Sequence, residues 1–86
     1  MKKIVFSLHS INKIQILSKH QIFADENRIT KIITKPDRIE SGYKNRLVAQ
    51  GVLNDKHVSR IVYEENEKEI KIITFYPGRR SRYEKD

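Results

Sequence analysis

The sequence predicts an α+β fold in which an N-terminal strand and two helices pack on one face of an antiparallel sheet. Three observations carry that prediction. Before Pro36, apolar residues recur at helical spacing behind capping residues. After it, the period falls to two, in short runs rich in branched and aromatic side chains. The third is length: 86 residues make a single domain, 1–86, with room for one small core.

Lys3 to Ser7 reads as a short strand. Ser7 or Ser10 can then cap a helix running to about His20, with Leu8, Ile11, Ile14 and Leu17 as its apolar stripe and Ile16 off it. Residues 21–24 form a connection. Asp25 suits the N-cap of a second helix, Glu26 suits its first turn, and Ile29, Ile32 and Ile33 supply the buried face. Pro36 stops this helix, because the residue before a proline is pushed out of the helical region. Asp37 to Glu40 is extended and Ser41-Gly42 marks a turn. Strands follow at Lys44–Leu53, Val58–Tyr63 and Ile70–Tyr76, separated by turns at 54–57 and 64–69. Pro77-Gly78 is expected to turn the chain off the last strand.

Charge narrows the function classes. The chain carries a net +7, which suits a polyanionic partner, since each neutralised phosphate releases counterions. Residues 1–46 hold ten Lys/Arg against four Asp/Glu, and residues 47–86 hold eight against seven. There is no cysteine, so neither disulfides nor thiolate metal sites arise. The histidines His9, His20 and His57 show no metal-ligand spacing, and no glycine-rich phosphate loop exists. The expected metal and cofactor content is therefore none. Met1-Lys2-Lys3 is followed by an apolar run too short for a signal peptide, and nothing approaches a membrane span. The expectation is a soluble cytoplasmic protein without a membrane partner.

Alternation sorts the last two strands into faces. A tight turn at Asn66-Glu67 puts Ser59, Ile61, Tyr63, Ile70, Ile72, Thr74 and Tyr76 on one face, toward the helices. Val58, Arg60, Val62, Lys71, Ile73 and Phe75 fall on the other. Arg60 then either aims its donor fork at a phosphate, or is a solvated charge on the open side or a partner for a glutamate. Phe75 either stacks on a base or fills core. The closing stretch "FYPGRRSRYEKD" is either a frayed end or a clamp in which Arg79 or Arg80 returns toward Arg60 and Tyr83 meets a base. Asp25-Glu26 and Asp37/Glu40 read as capping and solvated loop, and His20 and His57 as loop residues.

Three stretches, "FSLHS", "TKPDRIE" and "RIVYEENEKEIKIITFYPGRRSRYEK", resemble a small prokaryotic family of unknown function. It has Ser-x-His at the first helix, an Arg-Val-Val-Tyr-like strand, an acidic turn, a Val-Ile-Thr strand ending in Tyr-Pro, and an Arg-x-x-Arg-Tyr tail. The pattern is similar to BrnT-type toxins and, more remotely, to the RelE-like ribonuclease fold. The matching positions are His9, Arg60, Thr74, Tyr76, Arg79, Arg82 and Tyr83. The first helix departs from it: "INKIQIL" stands where an Arg or Met is usual, so the basic group there is either Lys13 or absent.

The resemblance implies an open sheet face that handles RNA, metal-free RNA cleavage, and an antitoxin protein as partner. Such cleavage needs a proton taken from the ribose 2′-OH, a proton given to the leaving oxygen, and stabilised charge on phosphorus. His9 is a proton-transfer group or a hydrogen bond that pins the strand–helix junction. The expected catalytic set is His9, Arg60, Arg80 and Tyr83, with Lys71, Phe75, Arg79 and Arg82 binding RNA. The other readings are a non-catalytic RNA-binding module and an interaction domain docking an acidic partner.

Overall fold

A computed structural model describes residues 2–19 and 25–84, the side chains of residues 17–19 excepted. The expectations for Leu17, for His20, for residues 21–24 and for the last two residues lie outside that range. The fold is α+β: a five-stranded sheet of order β1-β5-β4-β3-β2 with three helices. In chain order these are β1 (Lys3–Phe6), α1 (Leu8–Lys19), α2 (Glu26–Thr34), β2 (Arg38–Ser41), β3 (Leu47–Val52), β4 (His57–Glu65), β5 (Glu69–Arg79) and α3 (Arg80–Tyr83). Strands β2 to β5 form an antiparallel meander, while β1 joins the edge of β5 in parallel.

Local chemistry sets the element ends. Ser7 Oγ accepts from Ser10 N at 3.1 Å and so caps α1. Asp25 Oδ1 accepts from Arg28 N at 2.8 Å and caps α2. The Asn54 and Asn66 side chains each accept two backbone N–H groups two and three residues on, which tightens both hairpins. His57 opens β4 instead of lying in a loop.

The core lies between the helices and one sheet face. Ile29 and Ile32 of α2 meet Ala49, Ile61, Tyr63, Ile72 and Phe75, with Ile4, Phe6, Ile14, Ile33, Leu47 and Ile70 at its margin. At Gly51 a Cβ would stand 2.7 Å from Ile32, so the glycine lets α2 settle on β3. The expected α1 stripe is corrected. Leu8 and Ile11 are exposed, and Ser10 and Ile14 face inward with Lys13 half-buried. The reason is position: β1 ends at Phe6, opposite Ile72, so α1 lies beside the edge of β5 and only a narrow side of it meets protein. No described helix is long and apolar enough to cross a membrane.

Two further corrections concern β5. The strand runs through Pro77-Gly78 to Arg79 instead of turning off at Tyr76. β1 pairs with β5 only as far as Ile72, so from there the outer edge has no strand neighbour and tolerates a proline. The second is a register shift between β4 and β5. Tyr63 pairs with Ile72, but Val62 pairs with Thr74, leaving Ile73 as an extra residue. Beyond that bulge every side chain of β5 changes face. Phe75 pairs with Ile61 and is buried in the core at 1% exposure, and Tyr76 pairs with Arg60.

Candidate functional site

Register builds a row across the sheet face away from α2: Arg38, Gln50, Arg60 and Tyr76 are successive cross-strand partners from β2 to β5. Arg60 is only 6% exposed. Each nitrogen of its donor fork makes one bond within the protein. Nε donates to Tyr76 Oη at 3.1 Å, Nη1 to Gln50 Oε1 at 2.5 Å and Nη2 to Glu40 Oε2 at 3.0 Å. Burial opposes the Arg60 charge, but hydrogen bonds with Glu40 and Tyr76 outweigh it and leave the guanidinium held more firmly protonated than usual. The same contact, against the opposing effect of burial, holds the Glu40 carboxyl below the ordinary glutamate value, with help from the charges of Arg60 and Arg38.

The chain then folds back over this row. α3 sets the Tyr83 ring over Arg60, with the guanidinium carbon 4.4 Å from the ring centroid. Arg38 Nη1 and Gln50 Nε2 both donate to the Tyr83 carbonyl oxygen, at 3.1 and 3.4 Å. Gly78 is the floor, since a Cβ there would stand 2.3 Å from the ring.

A second group adjoins the first. His9 Nε2 lies 3.2 Å from Thr74 Oγ1, and Lys13 Nζ lies 3.4 Å from the same oxygen and 5.5 Å from the Phe75 ring centroid. The hydroxyl serves His9 in both protonation states: neutral Nε2 accepts its proton, and protonated Nε2 donates to its oxygen. Burial lowers the Lys13 ammonium from the ordinary lysine value, and among the described residues it has no carboxylate within ion-pair distance. Thr74 precedes Tyr76 by two residues, about 7 Å of strand on one face. His9, Lys13, Thr74, Tyr76 and Arg60 therefore lie in one line.

The expected site residues separate accordingly. The structure brings His9, Arg60 and Tyr83 to this line, with Arg82 beside Tyr83, its guanidinium carbon 5.6 Å from that ring. Phe75 is a core residue and does not stack on the Arg60 face. Lys71 shares that face by alternation but pairs with Glu64, five residues along β5 from Tyr76. Arg79, opposite His57, falls on the other face. Arg80 does not return to Arg60: its Nε donates to Glu84 Oε1 at 2.5 Å, and its backbone N–H to the Lys56 carbonyl. Glu40, expected in solvated loop, lies in β2 and binds Arg60. Gln50 was not singled out at all. Its signal was parity: counted outward from the 54–57 turn, the one polar side chain within β3 falls opposite the arginine of β4.

No group of metal-ligating side chains stands together among the described residues. Compared with known proteins, the chain has no significant match to a family model, a curated protein or a solved structure.

Proposed function

We propose that this chain is a toxin-type endoribonuclease that cuts RNA without a metal ion, is restrained by an antitoxin protein, and works on RNA in the cytoplasm. One observation carries the reading: the His9 imidazole and the Lys13 ammonium share the Thr74 hydroxyl, which lies on the same face as the Arg60 row. The line runs beside an exposed imidazole, so a strand laid along it would present a 2′-OH to His9. Lys13, with no carboxylate partner among the described residues, supplies a cation for the adjacent phosphate. The sequence likeness to BrnT-type and RelE-like toxins supports the same reading.

A second reading, a non-catalytic RNA-binding module, is favoured by Arg60 itself. Three of its five N–H groups are held by Tyr76, Gln50 and Glu40 and the residue is only 6% exposed, so little of its donor fork faces a phosphate. Incubation of single-stranded RNA with the purified protein in EDTA separates the two. Cleavage is expected, with His9→Gln slowing it about 100-fold and flattening the pH–rate profile near neutrality while affinity is retained. Intact RNA, from wild type freed of any co-purifying partner, removes the enzyme and leaves the binding module.

A further inference from the structure

Arg60 spends three of its five N–H donors on Tyr76, Gln50 and Glu40, and the Tyr83 ring covers a face of its guanidinium. Beside that face, Arg38 and Gln50 direct two N–H donors at a single carbonyl oxygen, that of Tyr83. Gly78 leaves room for the edge of a ring to come against the strand. A stacking cation, paired donors for one carbonyl and a glycine floor are what a nucleobase with a ring carbonyl requires. The cover is held by hydrogen bonds and the ring contact and not by core packing, since α3 buries none of its residues.

We propose that this seat binds an unpaired, carbonyl-bearing nucleobase, with uracil as the simplest case, and that Tyr83 fills it in the free protein. The choice of RNA as ligand rests on the function proposed above; the site itself requires no cleavage. A base enters by displacing Tyr83, so apparent affinity is reduced by the fraction of molecules in which the seat is closed. Adenine has no carbonyl to offer Arg38 and Gln50 and gains little from opening.

Two variants open the seat by different routes. Tyr83→Ala removes the ring. Gly78→Ala keeps it but puts a methyl group where the ring lies, and Gly78 has no positive φ, so its backbone accepts alanine. Binding is read by fluorescence anisotropy with 2′-O-methyl oligouridylate and oligoadenylate of equal length, which cannot be cut, on proteins confirmed folded by circular dichroism. Both variants are expected to bind oligouridylate about tenfold more tightly than wild type, with less than about a twofold gain for oligoadenylate. Adding Arg60→Lys to Gly78→Ala should abolish the gain, because an ammonium has no flat face. Unchanged or weaker oligouridylate binding in both variants overturns the proposal, as does an equal gain for oligoadenylate. Absence of binding by every protein at low salt overturns it together with the RNA reading. Binding with the expected preference, but without cleavage of ordinary RNA, upholds the seat and removes only the nuclease.

Discussion

Arg60 joins three neighbouring elements through one side chain: β2 by Glu40, β3 by Gln50 and β5 by Tyr76. A nearly buried cation is tolerable only when it is well partnered, and here each guanidinium nitrogen has a partner. Its counter-ion is different, because the Glu40 side chain is 41% exposed and can turn to water if the arginine is lost. Arg60→Ala should therefore cost about 2 kcal/mol, near that of one charged hydrogen bond rather than of an orphaned buried ion. For a domain of this size that is a drop of roughly 10 °C in Tm. Glu40 adds a pH signature. Its carboxyl is held below the ordinary value, chiefly by the hydrogen bond from Arg60. Stability from a depressed carboxyl is complete above the unfolded value, about 4.3, and is lost as pH falls through the lower folded value. The Tm gap between wild type and Glu40→Gln should be widest above about pH 5, narrow as pH falls below about 4.3, and close only below the folded value. A gap that stays constant across that range would show that the ion pair does not contribute.

At the scale of elements, the bulge at Ile73 decides which residues form core and which form site. The caps at Ser7 and Asp25, Pro36 and the two asparagine turns were legible in the sequence, because each acts through its immediate neighbours. The faces of the last hairpin were legible only up to Ile72. Strict alternation continued past that point puts Phe75 beside Arg60, and one extra residue reverses it. Nothing in "IKIITFY" marks which residue is extra. Ser7 shows the physical support: its N–H donates to the Ile72 carbonyl at 3.0 Å and its hydroxyl to the Ile73 carbonyl at 2.9 Å, so the α1 cap holds the irregular edge. The same limit explains the tail, since a proline reads as a strand end unless the missing neighbour on the edge is known. The consequence for Phe75 is measurable by urea denaturation. Phe75→Ala should cost about 3–5 kcal/mol, as for other buried aromatics, and Lys71→Ala should stay within about 0.5 kcal/mol. A small loss at Phe75, accompanied by weakened RNA binding, would restore the stacking role that the sequence suggested.

For the whole molecule, net charge gives the sign of the interaction and the fold gives its location. The +7 was visible from composition; its distribution over faces was not, because ion pairs remove some cations and the bulge moves others. Arg46 is engaged by Glu64, Lys2 by Glu65 and Arg80 by Glu84. Lys71 and Arg82 belong to no ion pair among the described residues and flank the Arg60 row on its own side of the sheet. Arg79 is equally exposed but points to the other side. If a single strand of RNA follows the row, each phosphate contact steepens the fall of log affinity with log salt by about 0.7. Lys71→Ala and Arg82→Ala should each lower that slope by about 0.7, and together by about 1.4. Arg79→Ala and Lys31→Ala, the latter on α2, remove the same formal charge and should leave the slope within error. Titrations of a labelled oligonucleotide at several salt concentrations, with all four variants, give the answer. Equal losses in all four would mean that RNA responds to total charge, and the Arg60 face would then have no claim to be the interface.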